Sequence, residues 1–240
     1  MRQMTDTWES HVAPHGPLVE VVPGLWQITG FGPPMDRNMV VWRLPDGGLW
    51  LHSVVALDEP TLAAVQALGP PRVMVVPNGF HRRDPAVWKR RFPELLVLAP
   101  AASRARIEVV VPVDATCEER SKSLGVRFHV PDGVRPGELA YELDVPGGRA
   151  LVVTDLLFNL PTAPPGFAGF VLNYITASIG PLGISRVFRL LALQDRAKYA
   201  AFIESLAGIE DLRVLSVAHG DAVTSDVSAA LRAAATRIRG

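Results

Sequence analysis

The chain has 240 residues, with 24 Lys plus Arg balanced against 24 Asp plus Glu, and so carries no formal net charge at pH 7. Its 48% hydrophobic and 20% charged residues suffice for a sizeable core, which excludes disorder and collagen-like repetition. The charge balance offers no global field to attract nucleic acid or anionic lipid, so a polyanionic partner is not expected.

The stretch Met1 to Gly16 lacks the apolar core of a signal peptide. Cys117 is the only cysteine, which rules out an internal disulfide and a thiolate zinc cluster and fits a reducing cytoplasm. The first elements are all β. Leu18 to Ile28, interrupted by a Pro23-Gly24 turn, and Asn38 to Leu44 read as strands. Leu49 to Val54 follows across Pro45-Asp46-Gly47-Gly48, a strong hairpin signal.

Helical spacing over Glu59 to Leu68, with Pro60 in the first turn and a Gly69-Pro70-Pro71 stop, predicts a helix. A strand at Val73 to Val76, a helix near Pro85 to Phe92 and a strand at Leu95 to Leu98 come next. Ala101 to Ile107 reads as a short helix and Arg127 to Val130 as a strand. Leu139 to Val145 and Ala150 to Val153 pair across the Pro146-Gly147-Gly148 turn.

The run Phe167 to Ile184 is apolar and free of formal charge, but Gly180-Pro181 and Gly183 break it before it reaches the ~20 residues of a membrane span. It predicts a core or dimer-contact helix over Ala168 to Ile179, then a turn and a second helix, rather than a transmembrane segment. An amphipathic helix over Gln194 to Ala207, a strand at Val214 to Val217 and a helix over Ser225 to Ile238 close the chain. No linker divides it, so residues 1 to 240 read as one domain. Two hairpin-rich halves, each with helices outside, suggest two sheets face to face between helical layers.

Three strands run into polar clusters: Val73 to Val76 into Pro77-Asn78-Gly79-Phe80-His81-Arg82-Arg83-Asp84, Ala150 to Val153 into Thr154-Asp155, and Val214 to Val217 into Ala218-His219-Gly220-Asp221. Strands flanked by helices deliver such clusters to one edge, where ligands and metals sit. The three strand ends are therefore expected to build one site. Ordered along the chain, Val22-Pro23-Gly24-Leu25-Trp26-Gln27-Ile28, the strand opened by Asn38, the hairpin into Leu49 to His52, and Arg135-Pro136-Gly137-Glu138-Leu139-Ala140-Tyr141 followed by Ala150 to Asp155 resemble the metallo-β-lactamase fold superfamily from about Val19 to Asp221.

That resemblance implies a mixed α/β, four-layer αβ/βα sandwich. It also implies a ligand pattern that this chain largely lacks. Asn78, Phe80, Arg82 and Arg83 stand at the four positions of the superfamily's His-x-His-x-Asp-His loop, and Val134 at the histidine of the next loop; Asp155 and His219 match. Arginines at ligand positions repel a divalent cation, so the two-metal centre is not expected. The pattern Pro77-Asn78-x-x-His81, with Leu51-His52-Ser53-Val54, resembles a domain of unknown function within the superfamily, which implies that the altered loop is a settled design.

His81, one position beyond Phe80, can join Asp155 and His219. Two imidazoles and a carboxylate are the ligand set of one zinc or non-haem iron ion, and Asp84 is a candidate fourth oxygen or second-layer acceptor. The first functional reading is a hydrolase of small molecules using one such ion, with His81, Asp155 and His219 catalytic and Asn78, Arg82 and Arg83 meeting an anionic substrate. The second is a metal-free ligand-binding or interaction module, with a homodimer contact along Phe167 to Leu193. His52 and Ser53 stand at a strand end facing the same region; His11, His15 and His129 carry no assigned role. Cys117 lacks the electropositive setting of a reactive thiolate.

Overall fold

A computed structural model describes residues 7–32, 35–162 and 179–240. The opening β region folds as an antiparallel run of β1 (Val19–Val22), β2 (Leu25–Gly30), β3 (Arg37–Arg43) and β4 (Leu49–His52). The β3–β4 turn is closed by Asp46, whose carboxylate accepts the Gly48 N–H at 3.0 Å, while Gly47 takes the left-handed conformation that the turn needs.

From β4 the connections become right-sized for parallel crossovers. Helix α2 (Glu59–Leu68), capped by Asp58 on the Thr61 N–H, carries the chain to β5 (Pro71–Val75), and α3 (Pro85–Arg91) carries it to β6 (Leu96–Ala99). β4, β5, β6 and the short β7 (Ala115–Thr116) are parallel neighbours, giving a sheet ordered β1 to β7.

The second sheet holds β8 (Arg127–His129), β9 (Ala140–Val145), β10 (Gly148–Val152) and, after a two-stranded ribbon of β11 (Phe158–Leu160) and β12 (Gly180–Gly183), β13 (Leu212–Ser216), in the order β13-β10-β9-β8.

Strand alternation sorts the core into three slabs, and these define four layers. Met39, Val41, Leu51, Met74 and Val97 point outward onto α2 and α3, meeting Leu62, Val65 and Trp88. Their neighbours Val40, Trp42, Trp50, Val73 and Val75 point the other way, onto Tyr141, Leu143, Ala150, Val152 and Val214 of the second sheet. The far face of that sheet, with Leu151, Val153, Leu215 and Val217, is covered by Tyr199, Ile203, Leu231 and Ala234. These last four lie on Arg196–Leu206 and Val227–Arg239, two helices that follow the shorter Arg186–Leu191. The period of two is what lets one strand serve two slabs.

The expected strand Leu49 to Val54 stops at His52, because Ser53 turns into the left-handed region at φ 56° and ends the pleat. The turn expected at Gly180 to Gly183 is instead the strand β12, paired with β11; the expected second helix follows as Arg186–Leu191. Residues 168–178 of the expected apolar helix lie outside the described residues, and Ile179 forms a bridge with Leu160. The one-turn helix α1 (Trp8–His11), unforeseen from periodicity because it is four residues long, is closed by a Thr7–Ser10 capping box. Trp8 anchors it by donating its indole N–H to the Leu57 carbonyl at 2.9 Å and packing edge-on against Trp88. Cys117 is buried, which pushes its thiol up to about 12 and leaves it inert.

His52 is the one histidine sealed inside the inter-sheet slab, 1% exposed and stacked on Trp50 with ring centroids 5.4 Å apart. Burial pushes its pKa down to about 3. In the unfolded chain the same ring takes a proton near pH 6.5, so its contribution is full above that pH and is lost as the pH falls toward 3. Urea unfolding at pH 5 should therefore show about 2 kcal/mol less stability than at pH 7 from this residue alone. In the His52→Phe variant that part of the slope should disappear; an unchanged slope would assign the pH dependence elsewhere.

Candidate metal centre

The loop after β5 is folded by its own asparagine. Asn78 Oδ1 accepts the backbone N–H groups of Phe80 at 2.8 Å and His81 at 3.1 Å. This turn sends Phe80 outward, 79% exposed, and His81 inward, 4% exposed. The other end of the same amide donates to Asp155 Oδ2 at 2.8 Å. Asn78 thus shapes the loop and orients a carboxylate.

Asp155 follows β10, and its backbone N–H donates to Glu138 Oε2 at 3.0 Å. His219 follows β13 and stacks on Phe158, with ring centroids 5.4 Å apart and planes 9° from parallel. The three strand ends converge. Asp155 Oδ1 lies 3.3 Å from His81 Nε2 and 3.2 Å from His219 Nε2, and the three potential ligand atoms lie within 4.8 Å of one another. Burial alone would raise the Asp155 carboxyl, but the two imidazoles prevail and hold it well below the usual carboxylate range.

Each imidazole is fixed through its far nitrogen. His219 Nδ1 lies 2.7 Å from the Asp36 carbonyl oxygen, which can only accept, so Nδ1 carries a proton and Nε2 faces Asp155. His81 Nδ1 lies 2.8 Å from Ser53 Oγ, which leaves its Nε2 facing the same oxygen. The left-handed backbone of Ser53 is what aims that hydroxyl inward. Two ring nitrogens and a carboxylate oxygen at these separations need positive charge among them, supplied either by protons or by a metal ion. Charge-assisted hydrogen bonds run at about 2.7–2.9 Å, shorter than the separations here. Ligand atoms set tetrahedrally about 2.0–2.1 Å from one ion lie about 3.3–3.4 Å apart, which the two carboxylate–imidazole separations meet. The donor set is one that can hold a zinc or iron ion.

The other residues singled out from the sequence fall around this cluster. Arg82 turns away and donates to the Arg106 carbonyl, whereas Arg83 lines the cavity over the cluster. Asp84 is not a fourth ligand: Arg37 and His11 take its carboxylate, the latter at 3.0 Å. Val134 is buried in the cavity wall. His15 accepts the Asp58 N–H, and His129 lies 3.0 Å from Glu142, so neither reaches the cluster.

The Asp36 carbonyl, Phe158 and Glu138 were not legible as parts of the site, and Ser53, expected at a strand end facing it, was not foreseen as the partner of His81. Glu138 carried one signal, a carboxylate placed just before a buried strand. Burial and the neighbouring Asp155 charge push its carboxyl well above the usual range. The cavity over the cluster has a volume of about 960 Å³, at the upper end of ordinary ligand sites.

Neither a family model nor a curated protein sequence matches the chain. Solved structures do match. A metallo-β-lactamase from Pseudomonas aeruginosa in its mono-zinc form aligns with TM-score 0.61 over 93% of this chain and 97% of its own, at 13% identity. The enzyme from Erythrobacter litoralis with β-mercaptoethanol in the active site gives 0.60 over 92% and 96%, at 15% identity. That from Hirschia baltica gives 0.59 over 92% and 98%, at 12% identity. The fold is therefore that of the metallo-β-lactamases, as the strand ends and loops of the sequence suggested; at these identities the likeness speaks for fold alone.

Gly220 holds the His219 loop in place. Its φ of +98° is left-handed, and a Cβ there would stand 1.9 Å from the Asn159 carbonyl oxygen. The Gly220→Ala variant should lose at least about 2 kcal/mol of stability in thermal or urea unfolding. A stability equal to the parent's would show that this loop is not held as described.

Proposed function

We propose that the chain is a hydrolase that works with a single divalent ion, zinc or iron, held by His81, Asp155 and His219, on a small-molecule substrate in the adjoining cavity. The observation that carries this reading is the spacing of 3.3 and 3.2 Å from one carboxylate oxygen to two imidazole nitrogens whose far sides are already hydrogen bonded. The fold lends support, since the Pseudomonas aeruginosa protein that shares it was solved in a mono-zinc form.

An ion bound there supplies Lewis-acid polarisation of an electrophile and acidification of water. The protein's own residues do the rest. Ser53 and the Asp36 carbonyl lock the imidazole rings, Asn78 holds the second oxygen of Asp155, and Phe158 covers one face of His219. Glu138 sits on the cavity wall beside Asp155, within reach of a substrate group. Arg83 offers a cation at the same wall, which Asn78 also lines, while Arg82 acts through the loop.

Ser53, His81 and Asp155 also form a hydroxyl–imidazole–carboxylate chain, which invites a serine-hydrolase reading. The burial order is the reverse of what that needs. Ser53 is 1% exposed, whereas the Asp155 side chain, 21% exposed, faces the cavity. A substrate carbonyl meets the acid end of the chain first, so Ser53 acts as a positioning residue for His81.

Protein purified without chelator should contain about one zinc or iron ion per chain by elemental analysis. The Asp155→Ala and His219→Ala variants should fall to background while keeping the parent's far-ultraviolet circular dichroism. A parent protein that takes up no metal even after incubation with zinc or ferrous salts would leave the metal-free binding module as the better reading.

A further inference from the structure

The cavity over the cluster carries a second pattern, one of apolar walls with unpaired cations. Phe31, Phe80, Val130, Val187 and Leu191 all line it and all keep an exposed surface, Phe80 most of all at 79%. Such a group of exposed large side chains around one opening is unusual for a surface that meets only water. Four arginines share that lining: Arg37, whose guanidinium is held by Asp84, and Arg83, Arg106 and Arg135. Arg106 and Arg135 are exposed, and among the described residues neither guanidinium has a hydrogen-bond or ion-pair partner. Arg83 has only a 3.7 Å approach to Asp84, whose carboxylate is already held by Arg37 and His11.

The acids on the same wall are engaged differently. Glu118 accepts the Ala101 N–H at 3.0 Å, and Glu138 accepts the Asp155 N–H. The cations are left to face the opening. Gly79 contributes to their placement: a Cβ there would lie 3.3 Å from Arg106 Cδ, so the bare backbone lets the Arg106 stem lie across the loop beside Phe80.

We propose that the substrate is an amphipathic anion, an apolar acyl or alkyl body with a single anionic group, whose body lies against Phe31, Phe80 and Val130 and whose anion is met by Arg83, Arg106 and Arg135. Apolar walls with a few placed charges are the ordinary composition of a ligand site, and guanidinium groups pair with carboxylate or phosphate oxygens in bidentate fashion. A volume of about 960 Å³ exceeds what a small polar substrate fills and accommodates such a body. This inference deepens the hydrolase reading and rests on it for the reaction, but the binding it describes belongs to the arginines and the apolar wall.

The test is calorimetric titration of the whole protein, metal-loaded and after chelation, with octanoate, octan-1-ol and acetate as probes. Octanoate should bind at least about tenfold more tightly than either control, because each control lacks one half of the recognition. The Arg106→Gln/Arg135→Gln double variant should lose about tenfold in octanoate affinity, and Phe80→Ser a similar factor. Binding should survive chelation. Equal affinity for octan-1-ol or acetate, an unchanged affinity in the arginine variant, or loss of octanoate binding on chelation would each overturn the proposal, the last by showing that the carboxylate merely coordinates the ion. Failure of the hydrolase reading looks different: octanoate binds as expected to a protein that takes up no metal.

Discussion

One half-buried carboxylate sets the terms for the structure around it. Asp155 stands at the mouth of a strand between two imidazoles, with its second oxygen on Asn78 and its backbone N–H on Glu138. A carboxylate in such a setting is tolerated only where positive charge and hydrogen-bond donors surround it. Those groups come from the loops after β5 and β13, far apart in sequence. The sheets must therefore meet in one register for the carboxylate to be satisfied at all.

The four-layer packing enforces that register. Asn38 in β3 is the clearest link, since its side-chain amide donates to the carbonyls of Val217 at 2.9 Å and Gly220 at 2.7 Å, and its backbone N–H donates to Ala218. A residue of the first sheet thus holds the loop that presents His219 from the second. Behind it, Trp50, His52 and Tyr141 fill the slab between the sheets with ring-to-ring contacts. On the far side the Tyr199 hydroxyl donates to the Leu156 carbonyl at 2.6 Å, just after Asp155, and ties the outer helices to the same strand end. Loops of the site are thus tied by hydrogen bonds to the opposite layer.

Much of this was legible in the sequence, for identifiable reasons. Period-two alternation and glycine turns placed ten of the thirteen described strands, the short β7, β11 and β12 excepted, because one residue step moves a side chain from one slab to the next. The convergence of His81, Asp155 and His219 followed from polar clusters after apolar strands. What stayed hidden depended on backbone and on contacts across the fold. Ser53 reads as a serine at a strand end facing the site, but its left-handed turn toward His81 has no local sequence signature. The Asp36 carbonyl that fixes His219 is a backbone group 183 positions away. Asp84 looked like a ligand by proximity in sequence, yet Arg37 and His11, both remote in the chain, claim it. Arg106, on a one-turn helix, and Arg135, in a loop, become a feature only when the fold brings them to one opening.

The central claim is that one ion belongs among His81, Asp155 and His219. Anomalous diffraction at the zinc edge, on crystals grown with zinc and without chelator, addresses it directly. The expected result is a single strong peak per chain, about 2.0–2.2 Å from His81 Nε2, Asp155 Oδ1 and His219 Nε2, with Ser53 and the Asp36 carbonyl still on the far ring nitrogens. A well-ordered site with no anomalous peak, its imidazoles closed onto Asp155 by hydrogen bonds alone, would contradict it.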